Sequence, residues 1–370
     1  MKILVLPGDG IGPEITKATM HVLRAVDAAS PFGLEIERRD IGFASLRAEG
    51  TTLPKAVLER VPEVGGVLLG PVSHLDYPPR AQGGLNPSGE LRRRFELFAN
   101  IRPSRSREGL TPLRKPMDLV IVRENTEGFY ADRNMFEGSG EFAPEPDMAL
   151  SLRKITAKGS RRIAKAAFEL ARQRRRKVTA VHKANVLKLT DGLFLREVRK
   201  VAGEFPDVEL DEMIVDATAA HLIRNPDRFD VIVTTNMFGD ILSDEASELA
   251  GSLGLGGSIN QGDEICVAQA QHGSAPDIAG QNIANPTSLI SSAAMLLAWR
   301  GRKDGNPILE NAAWLVEASV ERALANPKLR TADLGGALST DGFAQAVAEG
   351  ISDIHGKTGM RAKPPVPASS

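Results

Sequence analysis

The chain of 370 residues contains a single cysteine, Cys266, and only two tyrosines and two tryptophans. One cysteine cannot form a disulfide within the chain, so disulfide-stabilised folds are excluded and a reducing cytoplasm is the expected location. Cys266 lies in an apolar run, where we expect it to pack as a small hydrophobic residue.

Long hydrophobic runs are also missing. The apolar stretch at residues 3–6 ends at Pro7 and is too short for a signal-peptide core or a membrane span. A formal net charge of −1 gives no reason to expect nucleic acid or an anionic membrane as a partner. With 42% hydrophobic and 25% charged residues, the composition is that of a globular protein, and its length suggests more than one lobe.

Short apolar runs alternate with longer amphipathic helical patterns. Over residues 160–174, for example, Ile163, Ala167 and Leu170 recur on one face. Several of the short runs are apolar throughout, as expected for strands that helices cover on both faces. The pattern predicts an α/β fold with a large, mostly parallel sheet flanked by helices. The predicted strands are residues 3–6, 67–69, 118–122, 178–181, 213–215 and 230–234.

A glycine-rich turn, GDGIGP at residues 8–13, follows the first predicted strand and precedes a helix. The Rossmann dinucleotide pattern requires glycine three residues after its second glycine, where this chain has Pro13. Asp27 is near the place expected for a ribose-binding acid, but it lies within a helical pattern. We therefore predict a tight strand-to-helix turn with Pro13 near the helix start, and not a Rossmann fold.

Two aspartates, Asp240 and Asp244, are four residues apart in the run NMFGDILSD at residues 236–244. If residues 238–249 are helical, both carboxylates lie on one face near the helix start. The helix dipole alone can favour such a pair. Asp216, however, ends another predicted strand, and parallel strands end at a shared ligand crevice. Three carboxylates meeting there would need a cation, and an all-oxygen set suits Mg²⁺ or Mn²⁺.

Three arginines, Arg92, Arg102 and Arg123, form a second candidate group. Arg102 precedes a proline and so lies in extended backbone, and Arg123 ends a predicted strand. Any one of them alone would be interpreted as a surface residue. Because a guanidinium binds a carboxylate through two hydrogen bonds, the three together predict a substrate with more than one carboxylate.

Tyr130 and Lys183 are candidates for proton transfer. Tyr130 follows the strand that ends at Arg123, and Lys183 ends the predicted strand at residues 178–181 with its flanking His182. A lysine beside carboxylates, a cation and a substrate can act as a general base, whereas a tyrosine can donate a proton to a developing carbanion.

The segment HGSAPDIAG at residues 272–280, which continues to Asn285, is dense in small residues and backbone donors. Such a loop can approach a nucleotide closely, and Asp277 is placed to accept hydrogen bonds from ribose hydroxyl groups. The residues predicted to contact a cofactor are Ile11, His272, Gly273, Ser274, Ala275, Asp277 and Asn285.

These motifs together resemble the β-decarboxylating dehydrogenase family, which includes isopropylmalate, isocitrate, homoisocitrate and tartrate or D-malate dehydrogenases. The resemblance extends over nearly the whole chain and keeps the family's order and spacing. The matching motifs are GDGIGPE at residues 8–14, NIRP at 100–103, RENTEG at 123–128, HKAN at 182–185, NMFGDILSD at 236–244 and HGSAPD at 272–277.

The resemblance implies roles for the matched residues. Arg92, Arg102 and Arg123 would hold the carboxylates of a malate group. Lys183 would take the hydroxyl proton as hydride leaves C2 for NAD⁺. Tyr130 would protonate C3 after CO₂ has left.

The resemblance also implies a cation and a cofactor. Asp216, Asp240 and Asp244 would hold Mg²⁺ or Mn²⁺, which acts as a Lewis acid toward the 2-hydroxyl group and the enolate. Members that use NADP carry a lysine followed by tyrosine where this chain has Asp277. A carboxylate at this position would repel a 2′-phosphate, so NAD is the expected cofactor.

The family fold implies a discontinuous arrangement of domains. Residues 1–98 and 252–362 would form the cofactor-binding domain, and residues 99–251 an inserted substrate and dimerisation domain with an arm near 131–150. Residues 363–370 have the composition of a disordered tail. In the family the lysine and one aspartate of each site come from the neighbouring subunit. This implies a homodimer with shared active sites, and a higher oligomer stays open.

The substrate depends on the segment before Arg92, to which the family assigns recognition of the group on C3. Isopropylmalate enzymes line this segment with apolar side chains, whereas this chain has Asn86, Ser88 and Gly89. The phrase RENTEG is also closer to isocitrate and homoisocitrate members. We therefore favour a polar or short C3 group, of the isocitrate, homoisocitrate, malate or tartrate type. The alternative is 3-isopropylmalate of leucine biosynthesis, because a missing apolar wall costs only about 1–3 kcal/mol of discrimination per methylene.

The sequence AQAQ at residues 268–271 precedes His272, where many members have Glu-Pro-Val, and we expect it to change the contacts near the nicotinamide.

An alternative of a different class is a non-catalytic regulatory subunit on the same fold. Such subunits usually lack part of the acid–base or metal set, and this chain retains all of it.

Overall fold

The computed structural model describes residues 1–110, 113, 115–130, 135 and 138–358. Ten strands form one sheet and two form a separate hairpin. The strands are β1 (Lys2–Leu6), β2 (Glu35–Arg38), β3 (Gly66–Leu69), β4 (Ala99–Arg105), β5 (Asp118–Glu124), β6 (Glu141–Glu145), β7 (Met148–Ser151), β8 (Lys177–His182), β9 (Glu209–Ile214), β10 (Val231–Thr234), β11 (Ile259–Gln261) and β12 (Cys266–Gln269).

Helices connect most of the strands and cover the sheet. They are α1 (Gly12–Ala29), α2 (Gly42–Glu49), α3 (Lys55–Arg60), α4 (Pro87–Arg94), α5 (Ala157–Arg172), α6 (Thr190–Ala202), α7 (Val215–Arg224), α8 (Asn236–Ala250), α9 (Thr287–Asp304), α10 (Pro307–Ala325) and α11 (Thr340–Thr358). Pro13 lies in the first turn of α1, where its missing N–H costs nothing. The predicted helix at residues 160–174 is α5, shifted toward the N-terminus because Thr156 caps it by accepting from the N–H of Gly159.

Apolar side chains cover both faces of the sheet. In β1, Ile3 and Val5 pack into one large hydrophobic cluster, whereas Leu4 and Leu6 pack into a second cluster on the opposite face. A strand buried on both faces needs no polar alternation, which is why these runs are apolar throughout. Cys266 in β12 is fully buried, and burial raises the pKa of its thiol, so it packs as a small apolar residue as predicted. The predicted α/β fold is confirmed.

The strand order is β2-β1-β3-β12-β11-β4-β5-β10-β8-β9. Pairings are parallel in both outer parts of the sheet and antiparallel only where β11 pairs with β12 and β4, and β4 with β5. The pairing of β11 with β4 joins the two segments that we predict to be separate domains, so one sheet runs through both. The domain boundaries themselves stay a prediction.

The strand predicted at residues 213–215 ends at Ile214, so Asp216 does not end a strand but lies in the first turn of α7. Within the predicted arm, β6 and β7 form a hairpin whose side chains are all exposed, while residues 131–134, 136 and 137 lie outside the described part of the chain. The predicted tail at 363–370 lies outside it as well. No helix among the described residues is long and apolar enough to cross a membrane.

Candidate active site

A cleft of about 440 Å³ collects most of the residues that the sequence singles out. The loops after β3 and β12, the N-terminal half of α4, and side chains from β4, β5 and α8 form its walls. Its lining includes Asn86, Ser88, Arg92, Arg102, Arg123, Tyr130, Asp240, His272 and Gly273.

Two arginines form the floor of the cleft. Arg102 projects from β4 and donates from Nη1 to the Ser243 hydroxyl at 2.8 Å and to Asp244 Oδ1 at 3.1 Å. Arg123 donates from Nε to Asn236 Oδ1 at 2.9 Å and also forms an ion pair with Asp240. Both guanidinium groups are almost completely buried. Burial and the neighbouring Arg123 charge lower the pKa of Arg102 to about 10. The floor is therefore cationic, which suits a bound carboxylate.

Tyr130 and Asp240 complete this hydrogen-bond network. The Tyr130 hydroxyl accepts from Arg123 Nη2 at 2.8 Å and donates to Asp240 Oδ2 at 2.9 Å. Burial, together with the Asp240 charge, raises the pKa of Tyr130 despite the opposing effect of Arg123. Burial acts to raise the pKa of Asp240, but the charges of Arg123 and Arg102 outweigh it and the pKa is lowered. At neutral pH, the cleft thus holds a protonated phenol beside an ionised carboxylate.

Asp240 and Asp244 lie on one face of α8, as their spacing predicts. Arg102 Nη1 lies 3.3 Å from Asp240 Oδ1 as well as 3.1 Å from Asp244 Oδ1, so one guanidinium forms ion pairs with both carboxylates. Asp244 Oδ1 also accepts from Gln271 Nε2 at 3.0 Å. The Asp240 carboxylate is partly buried and the Asp244 carboxylate is exposed. Carboxylate oxygens are the ligands that Mg²⁺ or Mn²⁺ prefers, but these two acids supply two ligands rather than three.

Lys183 and Asp216 lie apart from this cleft, at the outer edge of the sheet. Lys183 Nζ donates to Asp216 Oδ1 at 2.5 Å, and this hydrogen bond lowers the pKa of Asp216. The resemblance implies that Asp216 reaches Asp240 and Asp244 from a neighbouring copy, which stays a prediction. Within one chain the three do not meet: among the described residues no three acidic, His or Cys side chains are grouped to hold a metal ion. The cause is the strand order, since β9 is the edge strand while α8 packs over β4 and β5.

The side chains predicted to face the C3 group lie at the start of α4. Asn86 lines the cleft, but its Oδ1 caps the helix by accepting from the Gly89 N–H at 3.2 Å. Ser88 is buried and donates to Gln269 Oε1 at 2.9 Å. Arg92 Nη2 approaches the same oxygen at 3.5 Å. This wall is therefore polar, in agreement with the composition of its sequence.

The glycine-rich turn supports the loop after β12. The Ile11 N–H donates to the Ser274 carbonyl at 2.8 Å, and the Ser73 and Ser274 hydroxyl groups are 2.8 Å apart. Gly10 has a φ of +57°, and a Cβ on it would lie 1.9 Å from the Ser274 carbonyl oxygen. Glycine at position 10 thus allows the turn at residues 8–13 to approach the loop after β12. This close approach explains why the glycine spacing of the turn differs from the Rossmann pattern.

The loop itself has features of a ligand cradle. His272 Nε2 is buried and makes no hydrogen bond with any described residue, and burial lowers the pKa of this imidazole. Ala275 adopts a left-handed φ of +38°, and Gly273 has open space where a Cβ would stand. Asp277 is exposed, whereas Asn285 is buried and donates to Asp333 Oδ2 at 3.0 Å.

Three polar residues of the site were not predicted. Asn236 Oδ1 accepts from both Nε and Nη2 of Arg123, and so fixes that guanidinium. Gln269 contacts Arg92 of the polar wall, and Gln271 contacts Asp244 of α8. Asn236 begins the motif that contains Asp240, and the two glutamines are the departures from the family pattern in AQAQ. Their position in those motifs was the available signal.

Comparisons with known proteins agree with this geometry. The family model of isocitrate/isopropylmalate dehydrogenase matches residues 2–347. A 3-isopropylmalate dehydrogenase of Methanothermobacter thermautotrophicus is 44% identical over 354 residues, which cover 95% of this chain and 99% of that relative. An isocitrate/homoisocitrate dehydrogenase of Thermus thermophilus is 42% identical over 356 residues, with coverage of 95% and 99%.

A solved structure is similar as well. The crystal structure of isocitrate dehydrogenase from Methylococcus capsulatus matches with a TM-score of 0.83 at 40% identity, covering 95% of this chain and 99% of that chain. The family match, the relatives and the shared fold agree over nearly the full length. The chain therefore belongs to the isocitrate/isopropylmalate dehydrogenase family and is an oxidoreductase.

Proposed function

We propose that this protein catalyses the metal-dependent, NAD-linked oxidative decarboxylation of a (2R)-2-hydroxy di- or tricarboxylic acid, a malate with a substituent on C3. The observation that carries the proposal is the meeting of Arg102, Arg123, Tyr130 and Asp240 in one cleft. Together they supply two cationic donors, a protonated phenol and an ionised carboxylate. These are the groups needed to bind a dicarboxylate and to move protons on it.

The arginines would bind the substrate. Arg102 and Arg123 lie side by side in the floor, and Arg92 lies in the polar wall. Because the guanidinium groups are already held by Asn236, Ser243 and the acids of α8, little ordering is required when a carboxylate binds.

Proton transfer would be divided between Lys183 and Tyr130. Lys183 would take the proton of the 2-hydroxyl group, and its hydrogen bond to Asp216 holds the amine in place. Tyr130 would return a proton at C3 after CO₂ has left. Burial keeps its phenol protonated, which is the state that a proton donor requires.

Asp240 and Asp244 of one copy, with Asp216 of another, would hold the cation. Mg²⁺ or Mn²⁺, when bound, supplies a Lewis acid that polarises the hydroxyl and carboxylate oxygens. The cofactor would lie on the loop at residues 272–285, where the unpaired His272 Nε2 and the open space at Gly273 suit a bound nucleotide. NAD⁺, when bound there, would supply the acceptor for the hydride of C2. The exposed carboxylate of Asp277 supports NAD over NADP, because it would repel a 2′-phosphate.

The active unit would be a homodimer, because Lys183 and Asp216 do not reach the cleft of their own chain. Large apolar side chains are exposed on the elements that carry the site, including Ile223 of α7 and Ile241 of α8. The β6–β7 hairpin also exposes Phe142, Met148 and Leu150. A lone two-stranded hairpin has little stability in water, so these surfaces favour burial against a second copy.

For the substituent on C3, the polar wall of Ser88 and Gln269 supports a substrate of the isocitrate, homoisocitrate, malate or tartrate type. The relative with isocitrate/homoisocitrate activity in its name is 42% identical. The alternative substrate is 3-isopropylmalate, which is supported by a relative of that name with 44% identity. A non-catalytic subunit is disfavoured because Tyr130, Lys183 and the aspartates are all present.

The proposal is tested by NADH formation with Mn²⁺ across isocitrate, homoisocitrate, 3-isopropylmalate, D-malate and tartrate. We expect turnover of at least one acid, release of CO₂ and loss of activity on chelation of the metal. Full activity without metal would contradict the mechanism, and faster turnover with NADP⁺ than with NAD⁺ would contradict the argument from Asp277. Turnover of none of the acids, with metal still bound, would favour the regulatory subunit.

A further inference from the structure

Gln269 lies at the end of β12, with its side chain in the polar wall of the cleft. Its Oε1 atom accepts three hydrogen bonds: from the Ser88 hydroxyl at 2.9 Å, from Asn260 Nδ2 at 3.3 Å and from Arg92 Nη2 at 3.5 Å. An amide oxygen has room for about two strong acceptor interactions, so this oxygen is fully occupied by the protein.

A chain of buried amides fixes which end of Gln269 faces the protein. Asn125 Nδ2 donates to the Leu97 carbonyl at 3.0 Å, and a backbone carbonyl can only accept. The same nitrogen donates to Asn260 Oδ1 at 3.0 Å, so Asn260 must turn its Nδ2 group toward Gln269. Arg92, which has no acceptor atom, imposes the same orientation. Two independent neighbours therefore require the oxygen of Gln269 on this side.

The nitrogen of the Gln269 amide consequently faces away from Asn260 and Arg92. Gln269 Nε2 has no hydrogen bond with any residue in the described part of the chain, although the residue lines the cleft. It carries two N–H donors. Within the wall formed with Ser88, these donors are available to whatever the C3 carbon of a substrate carries.

We propose that Gln269 is a specificity-determining residue, which donates from Nε2 to an oxygen at the end of the substrate's C3 substituent. This inference rests on the proposed function and names its substrate class: acids whose C3 arm ends in a carboxylate. An isopropyl group would leave the two donors unpaired in the cleft, which disfavours it. A hydrogen, as in D-malate, makes no use of them.

The isosteric change Gln269→Glu tests the proposal. It keeps the acceptor toward Asn260 and Ser88 but replaces the donor with an anionic oxygen. For isocitrate and homoisocitrate we expect kcat/KM to fall about 10- to 100-fold more than for D-malate, because a charge-assisted hydrogen bond becomes a repulsion. An equal fall for all acids would show that residue 269 acts only on Arg92 and the common malate group. That result, or no change, overturns the proposal.

Gln271→Glu is the matched control. Gln271 donates to Asp244 Oδ1 and to the Ser243 carbonyl on α8, which act on the common part of the substrate. The same amide-to-acid change there is expected to lower kcat/KM for every acid by a similar factor. A selective effect at residue 271 equal to that at residue 269 would contradict the assignment.

Binding measurements separate failure of this inference from failure of the proposed function. If the unmodified protein oxidises none of the acids, the proposed function fails. The inference is then decided by calorimetric Kd values for isocitrate and D-malate, measured with Mn²⁺ and without NAD⁺. Weaker binding of isocitrate alone in Gln269→Glu supports it. Equal effects on both acids, or no binding of isocitrate to the unmodified protein, contradict it.

Discussion

The arginine floor of the cleft and the Lys183–Asp216 pair differ in how completely a single chain assembles them. In the floor, the side chains of Arg102 and Arg123 are only 8% and 2% exposed, and each is hydrogen-bonded to several partners. The Lys183 and Asp216 side chains are 28% and 58% exposed, and they form an ion pair with each other. The comparison shows that one chain orders the arginine floor by itself but leaves Lys183 and Asp216 facing outward. Under the proposed function, the floor would bind the substrate within one chain, and Lys183 would complete the site of another copy.

The largest functional effect is expected for Lys183→Ala. Loss of a general base should lower kcat by about 10²–10⁴-fold. Because the Lys183–Asp216 pair is exposed, the free energy of unfolding should change little. Steady-state NADH formation and thermal unfolding measure the two quantities. A variant that loses stability as much as activity would show that the pair is structural.

Arg123→Gln is expected to lower both the catalytic activity and the free energy of unfolding. The arginine floor would thus differ from the Lys183–Asp216 pair, whose loss should lower activity alone. The change removes one of the two guanidinium partners of Asp240, which keeps Arg102 at 3.3 Å, and should destabilise the fold by about 1–3 kcal/mol, in addition to a large loss of kcat/KM. Arg123 is one cause of the lowered pKa of Asp240, whose ordinary value is 3.8. The ionised form therefore stabilises the native protein above this pH and loses that contribution below it.

Denaturation of Arg123→Gln at several pH values checks this linkage. The stability gap between wild type and variant should be full at neutral pH and should narrow as the pH falls below 3.8. A gap that is independent of pH would show that Arg123 acts through packing alone.

Tyr130→Phe should have a smaller effect, about 100-fold on the decarboxylating turnover, because only the proton donor is lost. The raised pKa of Tyr130 predicts that its phenol stays protonated through pH 10, its ordinary value. As the pH rises toward 10, ionisation of Tyr130 should therefore not lower the kcat of the wild type. Any decline in kcat over this range should also occur in Tyr130→Phe. A decline that is absent from Tyr130→Phe would mean that the phenol ionises earlier and is not the donor.

Gln271→Val is expected to have the smallest effect. The change removes the hydrogen bond from Gln271 to Asp244 but keeps Asp240 and Asp244, the two proposed metal ligands on α8. Affinity for Mn²⁺ should therefore fall only about 10-fold. Titration followed by electron paramagnetic resonance of free Mn²⁺ measures this affinity. Gln345→Val, on the distant helix α11, is the control that should leave it unchanged. Equal Mn²⁺ affinity in both variants would show that Gln271 does not contribute to metal binding.

Much of the fold and the cleft could be predicted from the sequence. Runs that are apolar throughout indicate doubly covered strands, and the spacing of Asp240 and Asp244 predicts their common helix face. Where Asp216 lies could not be predicted, because its distance from α8 depends on the order of β8, β9 and β10 in the sheet. The roles of Gln269 and Gln271 depend on long-range contacts to α4, β11 and α8, which no local pattern specifies.

Subunit complementation tests the central claim most directly. Lys183→Ala and Asp240→Asn chains, each inactive as a homodimer, are co-expressed with different tags and the mixed dimer is purified. If each site combines Asp240 of one copy with Lys183 of the other, the mixed dimer holds one intact site and should recover about half of the wild-type activity. If each chain supplies its whole site, both sites stay defective. An inactive mixed dimer would therefore contradict the account.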